Sequence, residues 1–375
     1  VNRRGLVGGA VTAAVTSVVS VISTAAAGYY FSGEVLRVVR TADLLVRVLD
    51  MAGDEVTLSR DDDTVKPIPV GLIWPGGTVR LSADVRVEGD AVVRRVVAGG
   101  IDGLFPGLMV EVDYNVYGTD PKEAFGLDFS TVPVPGELGD MPAWLVPPPG
   151  AQRPGAWAIA VHGRGGSRHE ALRVLPDVVG KGLTTLVIGY RNDPDAPASP
   201  DGYYHMGDTE WRDLAAAIRY AREHGATEIV LFGWSMGGGI VLTALRRLPV
   251  ADAAVIRGVV LDSPVLSWAG VIDYQADLRR VPAPITWSAK RFTQWRARLD
   301  LSLLDQHPGE LTVPALFFVD EADLRVRTGP AHAYAAQRPD LVTLVATRDG
   351  GHVASWNVDP PAYAAEVTRF LDKVV

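Results

Sequence analysis

Cysteine is missing from all 375 residues. Its absence rules out disulfides, thiolate nucleophiles and Cys-ligated zinc or iron–sulfur sites, and it suits a chain on either side of a membrane. An excess of positive charge is missing too. Thirty-six basic against 44 acidic residues leave a net charge of −8, which argues against a nucleic-acid partner. No internal repeat is present, and no long low-complexity tract beyond the apolar start. Apolar residues are plentiful: a 47% hydrophobic composition over this length supports one large α/β domain and a smaller one.

The first apolar tract is N-terminal. Asn2, Arg3 and Arg4 precede an uncharged run from Gly5 to Gly28 that is long enough to cross a bilayer as a helix. Tyr29, Tyr30 and Phe31 follow, where an interfacial aromatic belt would lie if the arginines were cytoplasmic. Ala25 and Ala27 also form an A-x-A site after an apolar region, the mark of a cleaved signal peptide. An ordinary buried helix is the third reading. The first two agree on export, so residues 1–33 are expected to be a membrane anchor or signal segment. The rest of the chain is then extracytoplasmic, either membrane-anchored or secreted.

From Glu34 to about Tyr117 short alternating runs such as "EVLRVVR", "LLVRVLD" and "TVRLSADVRVEG" are separated by Gly, Asp and Pro. They predict a small antiparallel β-rich module over 34–117. A Gly- and Pro-containing stretch with one apolar piece, "MPAWLVPPPG", leads to Ala156. Beyond it, apolar strands ("WAIAV", "TTLVIG", "EIVLF", "GVVLD", "ALFFV", "VTLVA") alternate with helical stretches, the pattern of a mostly parallel sheet flanked by helices.

One serine stands on a corner of that pattern. "EIVLF" reads as a buried strand and "MGGGIVLTALRRL" as a helix, with Gly233-Trp234-Ser235-Met236-Gly237 between them. This is G-x-S-x-G, in which flanking glycines allow a tight strand-to-helix turn that lifts a hydroxyl above the sheet. It also brings the N–H of Met236 to a helix N-terminus, where developing negative charge is favoured. A second donor is expected from the loop His162-Gly163-Arg164-Gly165-Gly166, most plausibly the N–H of Arg164. That loop lacks the Lys-Ser/Thr ending of a P-loop. His162 itself is expected to brace loop backbone rather than act as the base.

A serine needs a base, and the base needs an orienting acid. Among seven histidines, only His352 follows a late apolar strand in a glycine-bearing loop, after Gly350 and Gly351. "VPALFFVDEADLRV" ends a strand in Asp320, Glu321 and Asp323, of which Asp323 is the chosen acid. Asp262, at the end of the preceding strand, is its rival.

From about residue 125 onward the chain resembles the α/β-hydrolases. It specifically resembles the serine-hydrolase group that includes bacterial carboxylesterases, monoacylglycerol-lipase-like enzymes and prolyl-oligopeptidase-type peptidases. The likeness is carried by H-G-x-G-G at 162–166, G-W-S-M-G at 233–237, Asp323 with Val326, and Gly351-His352. It implies an α/β-hydrolase fold over 118–375 in which Ser235 is acylated, His352 moves the proton and Asp323 orients His352. No cofactor or metal is implied. The β-rich module lies outside the family pattern and is too short for the propeller of the large oligopeptidases.

Residues 267–310 occupy the place of the family's cap. Trp287 and Trp295 there, with Trp234 beside the serine, are the expected walls of an acyl pocket, the other reading being that the cap aromatics fix cap helices to the sheet. The cap arginines read as a solvated face, with anionic head groups as a second use. The sequence therefore points to a serine hydrolase acting on small-molecule carboxylic esters. Serine peptidases are the neighbouring alternative, though no motif for holding a terminal amine is found. A catalytically silent hydrolase fold serving as a binding module is the alternative of another class.

Overall fold

The computed structural model describes residues 23–39 and 45–375. Two sheets organise it. In the first, β1 (Val46–Ala52), β2 (Glu55–Ser59), β3 (Val70–Trp74), β4 (Gly77–Glu88), β5 (Ala91–Gly99) and β6 (Met109–Asp113) form a closed antiparallel barrel in the order β1-β2-β5-β4-β3-β6. Alternate residues fill it: Val46 and Val48, Val56 and Leu58, Leu72 and Trp74, and Val79 and Leu81 are all buried. Closure pairs β1 with β6 and removes the free edges that a small sheet would otherwise expose.

The second sheet has eight strands: β7 (Ser130–Gly136), β8 (Gly139–Val146), β9 (Ala156–Val161), β10 (Thr184–Ile188), β11 (Glu228–Trp234), β12 (Ile256–Asp262), β13 (Ala315–Asp320) and β14 (Val342–Thr347). Their order is β14-β13-β12-β11-β9-β10-β8-β7. The last six strands in sequence run parallel, and β7 and β8 make an antiparallel hairpin at one edge. The strands read as continuous apolar runs because helices cover both faces. Within β9, Trp157, Ile159 and Val161 enter the core on one side, while Ala156, Ala158 and Ala160 enter the core on the other.

The anchor or signal reading falls mainly on residues 1–22, which lie outside the described residues. Residues 23–36 are helical, and no helix of the described residues is long and apolar enough to cross a membrane. The run "EVLRVVR", read above as part of the β module, instead ends this helix as far as Leu36. It packs on the cap helix Ala283–Ala297: a Cβ at Gly28 would fall within 2.3 Å of Ser288 Oγ, and Tyr29 meets Phe292 edge-on at 5.6 Å. Only a small residue at 28 permits that approach.

The barrel is fixed to the larger unit near the C-terminal ends of its strands. Asn357 Nδ2 donates to the carbonyls of Pro69 (2.8 Å) and Tyr114 (2.9 Å), and Ala354 is buried among the barrel's own core residues.

Candidate active site

Ser235 leaves β11 and starts the helix Met236–Arg247 with φ 50° and ψ −114°, a strained backbone for a residue with a side chain. The turn needs its glycines. A Cβ at Gly237 would sit 2.1 Å from the Val161 carbonyl oxygen, and one at Gly233 would sit 2.8 Å from Gly237 backbone. The serine therefore stands at the carboxyl edge of the parallel strands, where α/β sheets place their ligands.

His352 Nε2 is 2.8 Å from Ser235 Oγ, and its Nδ1 is 2.7 Å from Asp323 Oδ2. Because a carboxylate only accepts, the proton belongs on Nδ1 and Nε2 is left to accept from the serine hydroxyl. The second carboxylate oxygen of Asp323 accepts from the N–H groups of Arg325 (2.7 Å) and Val326 (2.9 Å), which fix its plane. Asp262 makes no hydrogen bond to the imidazole, whose two nitrogens are taken by Ser235 and Asp323. It is fully buried behind the site, accepts from Ser263 Oγ, and burial pushes its carboxyl up to about 6.

The loop 162–166 lies against the serine: a Cβ at Gly163 would be 3.2 Å from Ser235 Cβ. His162 is buried, with Nε2 2.9 Å from Asp193 Oδ2, Nδ1 2.9 Å from the Gly163 carbonyl, and its ring stacked on Tyr190 at 4.3 Å. Both nitrogens face acceptors. Burial works against a charge here, but the Asp193 carboxylate outweighs it and the pKa is raised. The Gly163 N–H is taken by Glu170 Oε2 at 2.6 Å. The N–H groups of Arg164 and Met236 have no hydrogen-bond partner among the described residues, as donors awaiting an oxyanion require.

Part of this frame has no signal in the sequence. Asp320, one of the three carboxylates at the end of β13, accepts from the N–H groups of Gly350 (3.1 Å) and Gly351 (2.8 Å) and from Thr347 Oγ1 (2.8 Å), shaping the loop that carries His352. Arg173 is buried beside Glu170 (3.7 Å) and donates to the Val353 carbonyl at 2.6 Å. One ion pair thus joins the loop of Gly163 to the loop of His352. The only local hint is an i,i+3 Glu–Arg spacing in "RHEALR", and it does not reveal the distant carbonyl.

A family described as alpha/beta hydrolase fold matches residues 159–281, and a family described as a domain of unknown function matches residues 47–113. Among solved structures, an esterase of Pyrococcus furiosus is 18% identical with a TM-score of 0.55, covering 69% of this chain and 96% of its own. The chain has the α/β-hydrolase fold. Est1E from Butyrivibrio proteoclasticus is similar at 17% identity and a TM-score of 0.50, over 65% of this chain and 98% of that one. No curated protein sequence matches the chain.

Within this fold the three tryptophans do not come together as an acyl pocket. Trp234 points into the core beneath the sheet, stacked at 6.4 Å on Phe232. Trp287 and Trp295 stand on the outer face of the cap helix, 61% and 69% exposed, because its inner face is occupied by Ser288, Ala289, Thr293 and Ala297. A cavity of about 670 Å³ lies elsewhere, between the barrel and residues 116–124, lined by Trp74, Thr78, Arg80, Asp102, Tyr117 and Glu123; none of Ser235, Asp323 and His352 borders it.

Proposed function

We propose that the protein hydrolyses small-molecule carboxylic esters through an acyl-enzyme. The observation that carries this reading is the unbroken hydrogen-bonded chain Asp323–His352–Ser235, set beside two backbone N–H groups with no other partner. Ser235 Oγ attacks the ester carbonyl carbon while His352 Nε2 takes its proton. Asp323 stabilises the imidazolium, and the N–H groups of Met236 and Arg164 bind the oxygen that becomes negative. As the intermediate collapses, the C–O bond to the alcohol breaks and His352 protonates the departing oxygen. Water, deprotonated by the same histidine, then releases the acid and restores Ser235.

The esterase named among the structural neighbours supports an ester over an amide as the first substrate to try. A fluorophosphonate is expected to label Ser235 alone, and Ser235→Ala is expected to abolish labelling and hydrolysis of p-nitrophenyl acetate. Labelling that persists in the folded variant, or faster turnover of peptide amides than of any ester, refutes the reading.

We also propose that the enzyme is exported from the cytoplasm. Arg3 and Arg4 before the uncharged run from Gly5 to Gly28 support it. Protease added to cells stripped of their wall should digest the catalytic domain; a protected cytosolic chain refutes export.

A further inference from the structure

The outer face of the cap helix Ala283–Ala297 is a stripe with no partner in the fold. Trp287, Arg291 and Trp295 recur at spacings of four, which places them within a narrow arc of one helix face, Arg298 caps the helix just beyond, and all four are exposed. Arg291 lies over the Trp287 ring, 5.6 Å from its centroid. Tyr29 and Tyr30, 49% and 65% exposed, sit on the neighbouring N-terminal helix. Six exposed aromatic and cationic groups lie here together, and the aromatic surface among them is the kind that marks an interaction site.

Charge narrows the occupant. The twenty residues from Arg279 to Arg298 hold six cations and no carboxylate, in a chain whose net charge is −8. Lys290 is paired with Asp273, Arg279 is turned onto Gln275, and Arg296 is committed to Ser32 and Tyr203. Arg280, Arg291 and Arg298 are left without an ion-pair partner among the described residues. The next acid, Asp300, uses its carboxylate to cap Ser302 and attracts Arg291 only at a distance longer than an ion pair.

The path of the chain gives the direction. Contacts of Gly28 with Ser288 and of Ser32 with Arg296 make the two helices run parallel, so the start of the N-terminal helix lies toward the Ala283 end of the cap helix. We infer that this Trp–Arg stripe, with Tyr29 and Tyr30, docks on the surface of an anionic lipid bilayer, the tryptophans at the head-group boundary and the arginines on lipid phosphates. This goes beyond ester hydrolysis and does not depend on it. At its other end, roughly 20 Å away at 1.5 Å per residue, the N-terminal helix meets the loop of Arg164. There Arg164 Nη2 donates to the carbonyls of Glu34 and Arg37, both at 2.9 Å.

The chain has no cysteine, so one introduced thiol reports one position. Full-length Ala283→Cys, on the stripe, and Glu88→Cys, on the barrel hairpin, would each carry an environment-sensitive fluorophore. They would be mixed with neutral phosphatidylcholine vesicles or with vesicles containing one-third phosphatidylglycerol. The N-terminal run can tether the chain to either vesicle, whereas docking of the stripe requires anionic lipid. The expected result is a blue shift at position 283 with anionic vesicles only, lost in 0.5 M salt, and no shift at position 88. Arg291→Glu with Arg298→Glu should raise the anionic lipid needed for half the shift at least tenfold, and Trp287→Ala with Trp295→Ala should abolish it. Both double variants should keep wild-type turnover of p-nitrophenyl acetate, so a failure of docking is separate from a failure of the esterase reading. Equal response on both vesicle types, no response at position 283, or a response to protein concentration without lipid overturns the inference, the last by pointing to a second copy of the chain.

Discussion

Replacing Arg173 by methionine should damage the active site without touching any group that meets substrate. The Arg173 side chain is almost wholly buried, with its guanidinium 3.7 Å from Glu170, and it donates to the carbonyl of Val353 and to Asn357 Oδ1. Methionine keeps most of the apolar stem but removes the charge, so the Glu170 carboxylate stays buried with only the Gly163 N–H to satisfy it. Breaking a buried pair from one side costs about 3–5 kcal/mol, equivalent to a fall in Tm on the order of 10 °C. Glu170→Gln in the same chain should recover about 2–3 kcal/mol of this, because the amide can still accept from Gly163 and no charge remains. The carbonyl after His352 also loses its donor. A drift of about 1 Å in the imidazole lowers kcat roughly 100-fold, and KM should change little. Urea unfolding of the four proteins of the cycle, with p-nitrophenyl acetate kinetics at a temperature where all are folded, tests both parts. Strictly additive stability losses, or an undiminished kcat in the Arg173→Met protein, would refute the coupling.

Asp323→Asn should reduce kcat by about two to four orders of magnitude by favouring the wrong histidine tautomer, leaving the melting temperature nearly unchanged; a loss below tenfold would remove Asp323 from the mechanism. Asp262→Asn should instead change stability with pH. Burial raises this carboxyl from 3.8 to about 6 in the folded protein, so stability falls as pH rises through that window and the penalty is complete above it. The asparagine variant should therefore be more stable than wild type at pH 7.5, by up to about 3 kcal/mol, and should lose that advantage near pH 4; denaturant titrations at the two values decide. Gly237→Ala should fail to fold or lose more than 100-fold in activity, since the new Cβ meets backbone oxygens of Val161 and His162 that cannot move without shifting β9. A soluble, fully active variant would contradict the geometry of the turn.

The parallel sheet and the serine corner were legible because both are local. Gly233 and Gly237 mark the turn in the sequence itself, and apolar runs with helices between them define the strand order up to choice of neighbour. His352 was legible from its position after the last strand. The carboxylate was less so: Asp262 and Asp323 end adjacent strands, and only the turn through Arg325 and Val326 aims Asp323 at the imidazole. The tryptophans were misread for a different reason. Their abundance in the cap was counted, but their spacing was not used: Trp287, Arg291 and Trp295 fall on the face opposite Ala289, Thr293 and Ala297. The run "EVLRVVR" alternates like a strand, but its first three residues are helical because the helix entering from residue 23 continues to Leu36 while packing on Ser288 and Phe292.

The hold of Asn357 on Pro69 and Tyr114 bears on where the chain can be cut. A gene truncated at residue 118 would encode every residue assigned to chemistry and look like a complete catalytic unit. Its product would expose Ala354, leave the Asn357 amide without its two acceptors and remove the Tyr114 carbonyl from Arg173. All three losses fall within five residues of His352 or on the arginine that anchors its loop. The barrel is thus a scaffold for the histidine, and the place where one sheet gives way to the next is not a boundary at which a working enzyme can be excised.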